Sequence, residues 1–198
     1  MSTQLPPIAA VLQMQVADYA RWRPAFDAGA SARKAAGALG HHVNRGADDG
    51  NSVAVYLPAV DRARLETFLA DDALRARMRE AGVMGTPSIM LVTPAEDATV
   101  HESGLASAII SHGVADYARW KAAFDAHAPA RVAAGVVGHA VNRSANDPST
   151  VVVYLQARSR LSLENLTSSP ELKAAMKDAG VTTPPTIAFT EGQDWAQY

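Results

Sequence analysis

The sequence contains no cysteine in its 198 residues, and this absence removes several kinds of chemistry. Without cysteine there is no disulfide, no thiolate nucleophile, no iron–sulfur cluster and no cysteine zinc site. Any catalysis must therefore come from histidine, carboxylate, tyrosine, arginine or asparagine side chains, or from a bound cofactor.

The sequence also lacks an excess of charge of either sign and lacks long apolar runs. It has 18 Lys and Arg against 20 Asp and Glu, and the basic residues are scattered, so nucleic acid is not an expected partner. No apolar run reaches the length of a membrane span, and the first residues do not resemble a signal peptide. We therefore expect no membrane association and a cytoplasmic location.

The sequence does contain an internal repeat. The segment from Val16 to Trp22 recurs from Val114 to Trp120, 98 positions later, and the register then holds to the end of the chain without a gap. About half of the aligned positions are identical, which is far beyond chance for a repeat of this length. The sequence thus predicts two structural repeats, residues 1–97 and 98–198.

The stretch between the repeats, Thr93 to Ala106, mixes Pro, Gly, Ser and acidic residues without apolar periodicity. Such composition is typical of a surface linker. We therefore expect this segment to connect the end of the first repeat to the start of the second.

The first half of each repeat predicts a strand followed by a helix. Apolar and polar residues alternate from Ala10 to Val16, and Asp18 stands where a helix N-cap is expected. Trp22 and Phe26 follow at helical spacing. Pro24 leaves two alternatives, because it either occupies the first position of a helix that starts later or lies inside the helix and kinks it.

The second half of each repeat predicts a hairpin, a helix and a last strand. The hairpin strands are Gly40 to Gly46 and Ser52 to Leu57, joined by a polar turn. The helix is in two pieces, and Ser169-Pro170-Glu171 starts the later piece in the second repeat. A fourth strand begins near Pro87 or Pro185. The order strand, helix, strand, strand, helix, strand is the ferredoxin-like βαββαβ pattern.

A four-stranded sheet with helices on one side leaves its other face uncovered. The second repeat is attached to the first and can provide that cover. The predicted fold class is therefore α+β, with two ferredoxin-like repeats forming an intrachain pseudo-dimeric α+β barrel. Whether the protein also forms a homodimer through another surface stays open.

These features resemble the dimeric α+β barrel superfamily, which includes antibiotic-biosynthesis-monooxygenase-like and stress-responsive proteins. The resemblance rests on the pattern Val-x-Asp-Tyr-x-x-Trp-x-x-x-Phe-Asp, on the hairpin, and on Ala-Gly-Val followed by Pro and a strand. It implies a small-molecule cavity in each repeat, between the sheet and its helices. Members that use haem take a histidine ligand from a helix of the cavity wall. The second helices here contain no histidine, so no cofactor is expected.

Histidines of the second repeat are the candidate catalytic residues. His112 replaces Met14 on the apolar face of the first strand. Burying a polar group there costs free energy unless the group is hydrogen-bonded. His139 is predicted to lie on the same face of the sheet as His112, and His127 lies at the end of the first helix. The three histidines are therefore predicted to converge on one pocket, which would be the more polar of the two. The alternative is a buried histidine bound to a backbone carbonyl.

The remaining candidates are arginine and aromatic side chains. Arg143 would stabilise a developing oxyanion, and the alternative is a charge paired near Asp147 in the hairpin. Predicted substrate-binding residues in addition to His127 are Trp120, His41, Arg45 and Trp22, although tryptophans at helical spacing are more often core residues. No metal site is predicted, because neighbouring histidines such as His41 and His42 point to opposite faces of a strand.

Three functional hypotheses follow. The first is a cofactor-independent monooxygenase- or cyclase-like enzyme acting on an apolar or aromatic metabolite, with His139 or His112 as general base. The second is a non-catalytic ligand-binding or stress-related protein of the same fold. The third is a structural protein whose cavities are filled. The residues do not decide between them.

Overall fold

The computed structural model describes residues 4–198, except the side chain of residue 193. Sixteen helices and strands are present in this part of the chain. They are β1 (Ile8–Val16), α1 (Tyr19–Ala28), α2 (Ala30–Ala35), β2 (Gly40–Gly46), β3 (Ser52–Ala59), α3 (Arg62–Ala70), α4 (Asp72–Glu80), β4 (Val83–Ala98), β5 (Ala106–Gly113), α5 (Tyr117–Ala126), α6 (Ala128–Ala133), β6 (Val136–Ser144), β7 (Thr150–Ala157), α7 (Arg160–Ser168), α8 (Pro170–Asp178) and β8 (Thr186–Gln197).

The chain divides into two compact units that differ slightly from the predicted boundary at residues 97 and 98. Unit 1 comprises the residues up to Thr93 together with Gln193–Tyr198, and unit 2 comprises Pro94–Gly192. The last part of β4 therefore lies in unit 2, and the last part of β8 lies in unit 1. Each unit thus takes a short strand segment from the end of the other repeat.

The sheet of unit 1 has the order β4, β1, β3, β2 and the end of β8, and the sheet of unit 2 has the order β8, β5, β7, β6 and the end of β4. The determined pairings are antiparallel in both units. The strand order is that of a closed eight-stranded barrel, and the α+β class predicted from the sequence is confirmed.

The two units use the same register. In unit 1 Leu12 pairs with Val55, and in unit 2 the equivalent Ile110 pairs with Val153. Apolar side chains of β1 and β5 are buried at alternate positions, as the sequence pattern predicted. Gln13 of β1 is exposed. The alternation places the apolar face of each sheet against the helices of its own unit.

The segment predicted as a linker is only partly a loop. β4 continues through Ala98, so residues 93–98 belong to a strand rather than to a linker. The prediction was wrong because the composition of the segment is typical of a loop, whereas its neighbour in the sheet, β6, is remote in sequence. Hydrogen bonds from such a partner hold residues that would not form a strand on their own.

Pro24 lies inside α1, which begins at Tyr19, so the alternative in which it starts a later helix is wrong. The N-cap prediction is confirmed, because the Asp18 carboxylate accepts a hydrogen bond of 2.8 Å from the Ala20 amide. In unit 2 the Asp116 carboxylate accepts one of 2.7 Å from the Arg119 amide. Ser169 likewise caps α8, and Pro170 is its first residue.

We expect Asp18→Ala and Asp116→Ala each to lower the free energy of unfolding by about 1 kcal/mol, because each change leaves a helix-end amide without its acceptor. Urea denaturation followed by circular dichroism measures this. Asp18→Asn and Asp116→Asn keep a capping oxygen and should cost clearly less. Equal losses for Ala and Asn would contradict the capping role.

No helix among residues 4–198 has both the length and the apolar character needed to cross a membrane.

Candidate functional site

Each unit carries an aromatic ladder on its first helix. In unit 1 Tyr19, Trp22 and Phe26 recur at spacings of three and four residues, which puts them on one face of α1. The ring centroids of Tyr19 and Trp22 are 5.6 Å apart, and those of Trp22 and Phe26 are 4.9 Å apart. Trp22 is buried. The repeated sequence pattern therefore encodes a continuous aromatic wall.

Unit 2 repeats this ladder with Tyr117, Trp120 and Phe124, whose successive centroid distances are 5.8 and 5.3 Å. Trp120 is buried like its counterpart. Both tryptophans were predicted either as substrate contacts or as core residues. Trp120 belongs to the core cluster of unit 2, whereas Trp22 borders the cavity described below.

Arginines stack on the tyrosine end of both ladders. The Arg45 guanidinium lies 4.1 Å from the Tyr19 ring centroid and donates to the Gly50 carbonyl. Arg143 lies 4.1 Å from the Tyr117 ring centroid and donates to the Pro148 carbonyl. The structure therefore places both residues at the hairpin turn, where their hydrogen bonds go to the turn backbone.

A second pair of arginines, which the sequence analysis did not single out, stacks on the phenylalanine end. Arg33 and Arg131 each lie 3.7 Å from the centroid of their ring, Phe26 and Phe124 respectively. Both arginines are buried, and each donates to the carbonyl oxygen of the phenylalanine on which it stacks. Their identical place in the two repeats was the sequence signal that could have identified them.

Unit 1 contains a cavity of about 230 Å³ between its sheet and its helices. The floor is formed by apolar side chains of β1 and β3, including Leu12 and Met14. The helices α1 to α4 form the walls, and almost all of the side chains that line the cavity are apolar. The charged side chains that line it are Arg33 and Arg77. Of these two, Arg33 is buried and Arg77 is exposed.

Arg33 belongs to a buried polar cluster with Tyr198 and His41. Arg33 Nε donates to the Tyr198 hydroxyl, and His41 Nδ1 lies 2.9 Å from the same hydroxyl oxygen. Because that oxygen already accepts from Arg33, its own proton is best donated to His41 Nδ1, which leaves the His41 proton on Nε2. Both Arg33 Nη2 and His41 Nε2 are buried and have no hydrogen-bond partner in the described part of the chain, which leaves out the side chain of residue 193.

Burial, followed by the charges of Arg33 and Arg23, lowers the pKa of His41 to about 4. The ring is therefore neutral at pH 7. It also packs edge-on against Phe26, with centroids 5.0 Å apart. His41, predicted as a substrate-binding residue, packs against Phe26 of the ladder and shares the Tyr198 hydroxyl with Arg33.

His112 occupies the position of Met14 in unit 2 and is buried there. Its ring contacts Trp120 edge-on, with centroids 5.7 Å apart, and Nδ1 is 3.4 Å from the Gly113 carbonyl oxygen. Burial lowers the pKa of His112. These contacts match the alternative in which a buried histidine is held by a backbone carbonyl.

His139 lies at the Phe124 end of the unit 2 ladder. Its ring is 5.4 Å from Phe124, and Nε2 is 2.9 Å from a carboxylate oxygen of Glu96. Lys121 Nζ lies 2.8 Å from the other carboxylate oxygen. Burial alone would raise the pKa of Glu96, but the hydrogen bonds from Lys121 and His139 bring it below its ordinary value. Glu96 is thus an ionised partner for His139.

In unit 2 His112 contacts Trp120 and His139 contacts Phe124, so the two histidines lie against neighbouring rings of the ladder. Their convergence on one pocket stays a prediction. His127 lies between α5 and α6, partly buried, and burial together with Arg131 lowers its pKa. The sequence analysis missed Glu96 because it falls in the segment taken for a linker.

The equivalent of His127 in unit 1 is Gly29, which lines the cavity. A Cβ atom at this position would lie 3.0 Å from Arg33 Nη1. A glycine here therefore leaves space beside the Arg33 guanidinium. No group of three or more His, Asp or Glu side chains suited to a metal ion occurs in the described part of the chain.

No protein-family model matches the sequence, and no curated protein matches it closely enough to indicate a relationship. Solved structures do match along nearly the whole chain. A candidate monooxygenase from Lactobacillus acidophilus NCFM is 11% identical, with a TM-score of 0.64, over 97% of this chain and 96% of that chain. An anthrone oxidase-like protein is 14% identical, with a TM-score of 0.68, over 96% of this chain and 92% of that chain.

A candidate chlorite dismutase is 13% identical, with a TM-score of 0.65, over 96% of both chains. These proteins share the dimeric α+β barrel fold, and the chain has this fold. The resemblance noted in the sequence is therefore confirmed at the level of fold. Because the identities are this low, the likeness shows the fold and does not establish a reaction or a substrate for this chain.

Proposed function

We propose that the protein binds a small, largely apolar aromatic molecule in the cavity of unit 1. The observation that carries this proposal is the cavity of about 230 Å³ between sheet and helices, lined mostly by apolar and aromatic side chains. Small-molecule sites are concave and mostly apolar, with few polar groups that fix the ligand's orientation. Trp22 and Phe26 offer flat walls against which an aromatic ring can pack.

Ligand-observed NMR with 2-(hydroxymethyl)naphthalene tests this proposal with a neutral aromatic probe. We expect saturation-transfer signals with the wild-type protein and their loss in Ala32→Phe, because Ala32 lines the cavity and a phenyl ring there fills it. The matched control is Ala130→Phe, the same change at the equivalent position of unit 2. Binding that survives Ala32→Phe in a folded protein would place the ligand elsewhere.

A second candidate function is cofactor-independent oxygenation of an aromatic molecule. It is favoured by the similarity of the fold to an anthrone oxidase-like protein and to candidate monooxygenases. Such a reaction would remove a proton from an activated CH2 group, add O2 to the carbanion and release water, leaving a ketone. One O2 is then consumed for each ketone and each water formed.

The nature of the cavity lining favours binding over oxygenation in unit 1, since its charged side chains are arginines, which do not accept protons. The His139 and Glu96 pair of unit 2 is the better candidate for a general base, with His112 as an alternative. Arg143 and His127 are further candidates in that unit for stabilising an anion or contacting substrate.

Oxygen uptake with anthrone as substrate separates the two functions. An oxygenase should consume O2 and form the ketone faster than buffer alone, and His139→Ala should return the rate to that of buffer. A binding protein should leave the rate at that of buffer while the naphthalene probe still binds. The control for nonspecific loss of activity is His42→Ala, a change on β2 at a histidine that points to the opposite sheet face from His41, the equivalent of His139.

A further inference from the structure

We infer that the ligand of the unit 1 cavity carries an anionic oxygen, such as a carboxylate or an ionised phenol or enol, and that Arg33 binds it. This inference rests on the proposed binding function and specifies the chemical class of the ligand. Its starting point is that Arg33 lines a mostly apolar cavity although it is only 5% exposed.

Three of the directions available to the guanidinium are already used. Nε donates to the Tyr198 hydroxyl, Nη1 donates to the Phe26 carbonyl oxygen, and one face stacks on the Phe26 ring. These contacts fix the orientation of the planar group. Only Nη2 remains buried and without a hydrogen-bond partner in the described residues. A guanidinium held in this way, with one nitrogen free at its edge, can donate to an anionic oxygen.

The charge of Arg33 is also not neutralised within the described part of the chain. No carboxylate of residues 4–198 forms a salt bridge with it. The acids whose charge acts on the neighbouring His41, Asp27 and Asp194, form salt bridges with Arg23 instead. The neighbouring His41 is neutral at pH 7 and contributes no negative charge. A buried charge without a counter-ion is costly, and an anionic ligand would remove that cost.

Unit 2 provides the contrast that makes Arg33 distinctive. Arg131 makes the same stack and the same carbonyl bond, but it has no tyrosine partner, and all of its buried nitrogens are satisfied or accessible in the described structure. The acids themselves are equivalent in the two units, since Lys121 binds Glu96 and Asp125 as Arg23 binds Asp194 and Asp27. The contrast therefore rests on the arginine nitrogens. Moreover, His127 stands where unit 1 has Gly29. The free edge of the guanidinium is therefore a property of unit 1.

The test compares two probes of nearly equal shape, naphthalene-2-carboxylate and 2-(hydroxymethyl)naphthalene, by isothermal titration calorimetry at pH 7.5. We expect the wild-type protein to bind the carboxylate at least about tenfold more tightly, since charge-assisted hydrogen bonds in a buried site are worth that much. Arg33→Met should abolish the preference, because the methionine keeps an apolar stem on Phe26 and loses the charge.

Two controls identify the source of the preference. Arg131→Met, the same change in unit 2, and Arg77→Met, which removes the exposed cavity-lining arginine, should each retain the preference. If Arg33→Met does not fold, Arg33→Lys replaces it, because the donors of an ammonium all radiate from one nitrogen and do not reproduce the planar fork that reaches Tyr198, the Phe26 carbonyl and a ligand. We expect at least a threefold reduction of the preference in that variant.

The outcomes separate this inference from the proposed function. Binding of neither probe overturns the binding function itself. Equal affinity for both probes, or a preference that persists in folded Arg33 variants, overturns the anionic ligand while leaving the cavity as a binding site. Loss of the preference in the Arg77 variant would show that the anion binds at Arg77, at the mouth of the cavity, and would overturn its assignment to Arg33.

Discussion

Replacing Gly40 with alanine should destabilise the protein by roughly 2 to 4 kcal/mol. Gly40 lies on β2 where the end of β8 passes beside it in unit 1. A Cβ atom at this position would fall far inside contact distance of the Ala196 carbonyl oxygen and 3.2 Å from the Cα atom of Gln197. Both obstacles are backbone atoms, so the clash is relieved only by moving the neighbouring strand segment.

The equivalent glycine of unit 2, Gly138, is the matched control. The first obstacle to a Cβ atom there is the side-chain oxygen of Gln156, and the closest backbone atom, the Val100 nitrogen, is 3.0 Å away. Gln156 is buried and hydrogen-bonded to Val100, so Gly138→Ala should still cost stability, but less than Gly40→Ala. Urea denaturation of both variants measures the difference. The reverse order would show that the β8 segment is easily displaced.

The protein should lose on the order of 2 to 3 kcal/mol of stability between pH 7 and pH 4 because of His41 alone. The folded-state pKa of about 4 lies below the ordinary histidine value of 6.5, which applies to the unfolded chain. Between these values the unfolded chain binds a proton that the folded protein excludes, so stability falls as the pH falls through this window. Above pH 6.5 His41 is neutral in both states and contributes no pH dependence.

Urea denaturation at half-unit steps from pH 7 to pH 4 tests this expectation. Between pH 7 and pH 4 the free energy of unfolding of His41→Leu should fall by about 2 to 3 kcal/mol less than that of the wild type. His41→Gln removes the titration but keeps a polar side chain, and it should give the same flat profile. Parallel profiles for wild type and both variants would contradict the burial of a neutral His41.

Local sequence patterns predicted the helical stripe of Trp22 and Phe26 and the start of the helix that carries it, although Gly29 divides this helix into α1 and α2. Asp18 and Asp116 cap the helices as expected, and the spacing of Trp22 and Phe26 places them on one face, where both line the cavity. These features depend on residues a few positions apart along one helix. Helix periodicity and capping therefore suffice to predict them.

The location of the cavity could not be predicted in this way. The replacement of Met14 by His112 predicts the more polar pocket in the second repeat, and that pocket stays a prediction. The cavity in unit 1 was not predicted from the sequence. A polar substitution on a buried face indicates an unusual residue, but it does not say whether space remains beside it. Whether space remains depends on packing, in which Gly29 and the orientation of Arg33 take part.

The sequence by itself determined the repeat, the order of strands and helices, the helix caps and the pairs of equivalent residues, because each depends on local periodicity or on identity at a fixed offset. Only the tertiary structure decided which partners the buried polar groups receive. Tyr198 reaches His41 and Arg33, and Glu96 reaches His139, from strand ends that lie far away along the chain. Strand pairing over such separations is fixed by the packing of whole sheets, and this packing leaves one edge of the Arg33 guanidinium free.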